Sequence, residues 1–477
     1  MSTVQIITLI SSYFGVLILI SFLTGKKQDN DAFFKGNRQS PWYIVAFGMI
    51  GASLSGATFI SLPGWVAASQ FSFMQMALGY IIGYTVVALV LLPLYYKLNL
   101  TSIYTYLETR FGTCSYKTGA AFFLISRIIG ASFRLLLVSN VLQLILFDDL
   151  GIYFWQTVTM TVLLIWLYTF KSGIKTIIWT DTFQTLFMLI AVGFAIYALS
   201  SEIDFNGASP ISFILDSDLS QVFFFEDYKA GNYFWKQFIS GAFIAIVMIG
   251  LDQDMMQKNL TCKSLKDAQK NIFWFAGVLT LVNFIFLSLG LLLTVYAQQK
   301  GIDAHKDDLF AVLAEKHLGI IVFGFFLLGL IAAAYSSADS ALAALTTSFS
   351  IDILDIEKKY TVEKQVTIRK KIHVGISILL IMVIISFKYI LKDESIIAKL
   401  FQFAAYTYGP LLGMYAFGIF TTWQIKDKFV PIIALLSPLL SYSISVNSLE
   451  WFGFEFGFFI LIINGLLTFF GLSLLRK

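Results

Sequence analysis

The chain of 477 residues is 58% hydrophobic and 13% charged, has a mean hydropathy of +0.79, and carries a formal net charge of +4. This composition excludes an ordinary water-soluble domain, in which about 25% of the residues are charged. The small excess of Lys and Arg gives no indication of a nucleic-acid partner.

Long apolar stretches recur along the whole chain. A membrane-spanning helix needs roughly 20 consecutive, mainly apolar residues, and about thirteen stretches of that kind are present. Because each stretch is continuously apolar over a helix length, we predict an all-α polytopic protein that forms a single domain in the lipid bilayer. The predicted spans are residues 5–24, 44–70, 73–96, 117–146, 153–170, 176–199, 234–255, 272–297, 319–350, 372–391, 396–421, 429–446 and 452–475.

The first stretch, residues 5–24, lacks a basic leader before it and a small-residue cleavage site after it, and Gly25-Lys26-Lys27 follows directly. A secretory signal peptide has both features. We therefore expect this stretch to be a retained span.

Basic residues concentrate in one set of alternate loops. Roughly 23 of the 33 Lys and Arg lie in this set or at the carboxyl terminus, and loops rich in these residues stay in the cytoplasm. We therefore predict an amino terminus outside and a carboxyl terminus in the cytoplasm. Cys114 and Cys262 fall in predicted cytoplasmic loops, where thiols stay reduced, so no disulfide is expected. The basic loops are residues 25–41, 97–117, 171–175, 256–270, 352–371 and 422–428.

The second stretch is rich in small and polar residues. Residues 47–64 contain Gly48, Gly51, Gly56 and Pro63 together with four hydroxyl residues. A helix of this composition breaks easily, and a helix broken in mid-membrane exposes carbonyl groups that can bind an ion or a polar substrate. The alternative is that the small residues only let neighbouring helices pack closely.

Arg127 and Arg134 lie in one predicted span, residues 117–146. Their separation of seven residues puts both on one helix face. That face must look into the bundle, because a charge in lipid is costly. Either Asp181 or Asp339 meets these arginines permanently, or a substrate carboxylate completes the bonds of Arg134, which is nearer the middle of its span.

Hydroxyl groups and one carboxylate crowd a sector of the span that begins at residue 319. Ser336, Ser337 and Ser340 lie at positions i, i+1 and i+4, with Asp339 beside them. Hard cations prefer oxygen ligands of this kind. The run therefore predicts a sodium site, with the alternative that the hydroxyls bond back to carbonyls of the preceding turn.

Motifs along nearly the whole chain resemble those of the sodium:solute symporter family, which includes bacterial sugar, proline and sialic acid carriers. The resemblance implies a LeuT-type inverted repeat of five plus five helices that works by alternating access. The core repeats would be residues 44–199 and 234–421, with an extra span at 5–24 and accessory spans within 429–475. The matching segments are Thr101–Gly112, Trp179–Gln184, Gly250–Gln257, Ala332–Ser340 and Gly409–Gly413.

The resemblance also implies a principal sodium site. Its ligands would be the backbone carbonyls of Gly51 and Leu54 in the broken helix and of Ala333, with the hydroxyls of Ser336 and Ser337.

Some relatives bind a second sodium ion through an aspartate that corresponds to Asp181. Here its partners would be Ser336 and Ser340, and Asp339 stands where such relatives have serine. The added negative charge leaves both one and two sodium ions per cycle open.

The family binds its substrate beside the first broken helix. The resemblance therefore implies a substrate site that contains Ser53, Ser55 and Thr58, with Gln75 in the next span as a further candidate. In sialic acid carriers of the family, an arginine of the third core span meets the substrate carboxylate, and Arg134 is the candidate for that role.

Together these features predict a sodium-coupled symporter for a small polar solute, such as a sialic-acid-like or other organic acid, in the plasma membrane. Sodium is the expected co-transported ion, with no organic cofactor, and the monomer is expected to be functional. A carrier of a neutral sugar or an amino acid, and a transporter-like sensor or channel, are the alternatives. An enzyme is not expected, because the three histidines are scattered and lack the spacing of metal ligands.

Overall fold

The computed structural model describes residues 1–24, 30–169, 173–304, 306–390 and 396–477. Within these ranges the regular structure is helical, apart from two isolated β-bridges. The apolar stretches form helices because a helix satisfies its backbone N–H and C=O groups internally, as lipid requires.

The long helices follow the order of the predicted spans. The first group consists of α1 (Thr3–Thr24), α2 (Trp42–Ser53), α3 (Gly56–Ser69), α4 (Phe73–Lys97), α5 (Thr113–Phe147), α6 (Phe154–Thr169) and α7 (Ile174–Glu202). The second consists of α8 (Phe234–Gly250), α9 (Gln253–Asn259), α10 (Leu265–Lys300), α11 (Leu309–Lys316), α12 (Gly319–Ile353), α13 (Val362–Ile390), α14 (Ile396–Phe420), α15 (Val430–Val446) and α16 (Ile460–Ser473). Shorter helices lie at Asn30–Lys35, Thr105–Arg110, Pro210–Asp216, Ile356–Lys359 and Ser448–Phe452.

Fewer helices qualify as membrane spans by their length and composition than the sequence predicted. Among the described residues, eight helices are long and apolar enough to cross a membrane, or up to ten if each bent pair counts as one span. The apolar helices α6 and α16 have 16 and 14 residues. The count of about thirteen spans therefore stays a prediction.

In the part of the chain that the structure describes, two helix pairs are bent, and each opens one of the two predicted sets of five spans. The axes of α2 and α3 differ by 57°, and those of α8 and α9 by 69°. The first bend follows from Leu54, whose ψ of 70° leaves the helical region. At the second bend Asp252 adopts an extended conformation and caps α9 by accepting a hydrogen bond from the Asp254 amide at 2.8 Å.

Helix α12 forms the centre of the bundle. Every side chain from Phe326 to Ser348 is buried, and α12 packs against α7, α5 and the bent pair α2–α3. Close approach of α2 to α7 depends on Gly51, because a Cβ there would lie 2.1 Å from the Thr185 Oγ1. The break in α2–α3 is thereby held beside the polar run of α12.

Candidate functional site

The break between α2 and α3 contacts the hydroxyl run of α12. The Ser337 hydroxyl donates a hydrogen bond to the Ala52 carbonyl at 3.3 Å. The last carbonyls of a helix have no intrahelical partner, so the end of α2 presents oxygens toward α12. The predicted sodium ligands of the broken helix, Gly51 and Leu54, are therefore brought close to those of α12.

The three predicted ligands on α12 are fully enclosed. Ala333, Ser336 and Ser337 are each 0% exposed. The Ser336 hydroxyl donates to Oδ1 of Asp181 on α7 at 2.6 Å. An ion at this position would lie between α2, α7 and α12.

Asp181 lies at the centre of a second, connected cluster. The Ser340 hydroxyl lies 3.4 Å from its Oδ2 and 3.2 Å from Oδ1 of Asp339, so the two carboxylates share its single proton. The Tyr168 hydroxyl on α6 donates to the other oxygen of Asp339 at 2.9 Å. The four residues predicted for a second sodium site are therefore adjacent.

A lysine from the predicted cytoplasmic loop at 256–270 also lies in this cluster. The Lys258 ammonium on α9 lies 2.7 Å from Oδ2 of Asp181, and its side chain is 1% exposed. The predicted loop at 256–270 is wrong at this position, because a second helix, α9, follows the bend and extends beyond residue 255. Gly250 followed by the capping Asp252 is a recognisable start signal for a helix, and it puts Lys258 inside that helix.

A cavity adjoins the break in α2–α3, and a few polar side chains interrupt its mainly apolar lining. Its volume of about 90 Å³ has room for several water molecules. Four predicted substrate residues line it: Ser53, Ser55, Thr58 and Arg134. The Ser53 hydroxyl is buried and makes no hydrogen bond to the described residues. Tyr80, Tyr84 and Asn283 also line the cavity, and the sequence analysis did not identify them.

Gln75 lies apart from this cavity. Its amide nitrogen donates to the carbonyls of Ser72 at 3.3 Å and Asn232 at 2.8 Å, and its carbonyl oxygen accepts from the Phe224 amide at 3.2 Å. These bonds join the start of α4 to the loop before α8. Gln75 is therefore occupied in fixing that loop, and it does not line the cavity.

Arg127 lies at one side of the cavity and is paired. Its guanidinium contacts the Asp254 carboxylate and lies 3.7 Å from Oδ2 of Asp252. The Tyr408 hydroxyl on α14 also donates to Asp252. These contacts join α5 and α14 to the acidic residues of the second bend.

Arg134 lines the same cavity but differs from Arg127 in its partners. The residue is 7% exposed, and among the described residues no carboxylate forms an ion pair with it. Its Nε is buried without a hydrogen-bond partner in the same ranges. The alternative in which Asp181 or Asp339 neutralises the arginines is wrong, because Lys258 and neighbouring hydroxyls engage those carboxylates.

A family model and several known proteins match most of this chain. A family model described as the sodium:solute symporter family matches residues 33–424. The sodium/sialic acid symporter NanT of Aliivibrio fischeri is 25% identical over 485 residues, which cover 96% of this chain and 91% of that protein. The sodium/sialic acid symporter SiaT of Proteus mirabilis is 25% identical over 441 residues, which cover 86% and 83%.

The fold is similar to a solved structure of a Na+-coupled sialic acid symporter in a substrate-bound outward-open state. The TM-score is 0.84 at 20% sequence identity, and the match covers 99% of this chain and 98% of the other. The all-helical LeuT-type architecture predicted from the sequence is confirmed by this likeness.

Proposed function

The chain belongs to the sodium:solute symporter family, and on that basis we propose that it couples sodium entry to uptake of a small carboxylate-bearing solute by alternating access. The family resemblance predicted from the motifs is confirmed, and its relatives are secondary transporters rather than enzymes. The remaining question is what the cavity binds.

The observation that carries the proposed substrate class is the state of Arg134. A buried guanidinium without an anionic partner is costly, so the site favours a ligand that brings an anion. The planar fork of arginine matches a carboxylate with two parallel hydrogen bonds. Hydroxyls of Ser53, Ser55 and Thr58 across the cavity suit polar groups on the rest of the solute.

Sugar acids are the first candidates within this class. Two relatives that match most of the chain carry sialic acid in their names, and sialic acid bears a carboxylate. A neutral sugar or an amino acid is the alternative substrate, and a transporter-like sensor or channel is the alternative function. A neutral sugar brings no anion to Arg134, so it would leave this guanidinium without a partner. A channel that does not bind an anion would leave it without a partner as well.

The proposed sodium site combines Gly51, Leu54 and Ala333 carbonyls with Ser336 and Ser337 hydroxyls. The contact of Ser337 with Ala52 supports it, because it spans two elements that must move relative to each other in alternating access. Binding of an ion between these elements would favour one of their relative positions. Sodium is the co-transported ion in this scheme, and no organic cofactor takes part.

The remaining arrangement is proposed from the sequence. We take residues 44–199 and 234–421 as the two core repeats, 5–24 as an extra span and 429–475 as accessory spans. The amino terminus would lie outside the cell, and the monomer would be the functional unit. In this orientation the cluster of Arg127, Asp252 and Asp254 closes the cytoplasmic side of the cavity.

A thermal-shift screen tests the proposal. Purified protein would be heated with sugar acids, monocarboxylates, neutral sugars and amino acids, each in sodium and in potassium, since a ligand stabilises the folded state by mass action. We expect stabilisation by a carboxylate-bearing solute that is larger in sodium. Accumulation of that solute in liposomes against its gradient, driven by sodium, would separate a symporter from a channel. A response to neutral sugars alone would overturn the substrate class.

A further inference from the structure

Lys258 is a basic residue fully enclosed by the bundle. It lies on α9, whereas its partner Asp181 lies on α7, and the two side chains are 1% and 0% exposed. A buried ammonium is retained only where an anion meets it, so the 2.7 Å contact joins two opposite charges. This ion pair therefore belongs to the polar cluster around Asp181.

The oxygen atoms around this ammonium are those that a small cation would use. Asp181 contributes both carboxylate oxygens to contacts with Lys258, Ser336 and Ser340, and Asp339 lies next to Ser340. Carboxylate and hydroxyl oxygens are also ligands of hard metal cations. The ammonium is a compact point charge with the same sign and magnitude as sodium.

The charges of the cluster also count against a further ion. It holds two carboxylates, Asp181 and Asp339, and two positive charges balance them: the Lys258 ammonium and the sodium ion proposed at Ser336 and Ser337. Hydroxyls of Tyr168 and Ser340 bond the Asp339 carboxylate. An added sodium ion would compete with Lys258 for the oxygens of Asp181 and would be repelled by its charge.

We propose that Lys258 is a resident cation that takes the coordination place of a second sodium ion, so that the chain binds one sodium ion, at the site of Ser336 and Ser337. This inference rests on the proposed sodium symport. Lys258 is a positioning residue in it, since it acts on the sodium site through Asp181, which accepts the Ser336 hydroxyl bond. The ion pair also joins α9, one half of a bent helix pair, to α7.

Saturation binding of ²²Na⁺ to the purified full-length protein tests this inference without a substrate. The wild type should bind one ion per chain. Lys258→Met leaves two carboxylates without the ammonium and should bind two, whereas Lys258→Arg keeps the charge and should bind one. The double variant Lys258→Met with Asp339→Asn removes one negative charge and should return to one ion.

Two ions per chain in the wild type would overturn the inference. If Lys258→Met does not fold, the inference is tested by locating the sodium ion of the wild type with two other variants. Ser337→Ala should weaken its binding severalfold while Asp339→Asn leaves it nearly unchanged, and the reverse dependence would overturn the resident-cation role. Absence of specific ²²Na⁺ binding to the folded wild type would instead overturn the proposed sodium symport, which is a different result from two ions.

Discussion

Arg127 and Arg134 lie about two turns apart on α5 and line one cavity, but among the described residues only Arg127 forms an ion pair. Asp252 and Asp254 meet Arg127 at the second helix bend. Arg134 lies beside the first helix bend, and the described residues offer it no carboxylate. The protein therefore pairs one of two arginines on the same helix face, and its described residues provide no carboxylate for the other.

The role of a buried charge in a transporter depends on the group that pairs with it. A buried ion pair with both partners in the protein restrains the elements that it joins, and loss of one partner is costly because the other charge stays buried. A buried charge without a protein partner can lower its free energy by binding an ion of opposite sign. Burial alone does not distinguish the two roles, and the identity of the partner does.

The most severe test of the comparison is Arg134→Lys. We expect it to abolish uptake of a carboxylate-bearing substrate, because lysine cannot form the two parallel bonds of a guanidinium. Loss of a buried charged contact costs about 2 kcal/mol or more, which is roughly a 30-fold or larger loss of affinity. Stabilisation of the protein by sodium should persist, since the sodium site lies on other residues. Normal uptake by this variant would make Arg134 structural.

Arg127→Lys is the matched variant on the same helix. Lysine keeps the positive charge beside Asp252 and Asp254, so we expect uptake to fall by about tenfold at most, or about 1.4 kcal/mol. Initial uptake rates, normalised to the amount of folded protein, would measure this effect. If Arg127→Lys abolishes uptake and Arg134→Lys does not, the roles of the two arginines are reversed.

Ser337→Ala tests whether the sodium site is separate from both arginines. Loss of one hydroxyl ligand should cost about 1 kcal/mol and raise the sodium concentration for half-maximal uptake roughly fivefold. Ser441→Ala is the control, because that buried hydroxyl bonds the Ser437 carbonyl of its own helix, α15. Equal uptake by Ser337→Ala in sodium-free medium would exclude the proposed sodium role.

The sequence predicted the parts of the site that depend on local spacing. A separation of seven residues correctly put Arg127 and Arg134 on one face, and the glycine and serine content of residues 47–64 correctly indicated a broken helix. The partners could not be predicted in this way. Lys258 meets Asp181 across 77 positions of sequence, and only the packing of α9 against α7 and α12 brings them together.

Gln75 is a predicted substrate residue that does not line the cavity. The family resemblance implied a substrate role for it, because the family binds its substrate beside the first broken helix. Three hydrogen bonds to backbone groups instead occupy its amide, and two of their partners lie in the loop before α8. Composition cannot distinguish an amide that fixes a loop from one that binds a substrate, because the loop partners are remote in sequence.

Arg127 lies in the cytoplasmic half of the cavity if the amino terminus is outside, as predicted. Cysteine labelling tests this orientation without altering transport. Tyr228 is 61% exposed in the loop predicted to be external, and the Lys358 side chain is 70% exposed in a loop predicted to be cytoplasmic. Neither residue lines the cavity, and the surface pair of Lys358 with Glu108 is worth less than about 1 kcal/mol. Uptake should therefore stay unchanged in Tyr228→Cys and Lys358→Cys.

Both variants are best made with Cys114→Ser. Cys262 can stay, because it is 0% exposed and burial raises the pKa of its thiol to about 12, so the reactive thiolate is scarce near neutral pH. A membrane-impermeant thiol reagent should label Tyr228→Cys in intact cells and Lys358→Cys only after permeabilisation. In the protein that retains Cys114, that thiol should stay unlabelled in intact cells. The opposite pattern would put Arg127 on the outer side, and the ion pairs of the second bend would then close the cavity toward the outside.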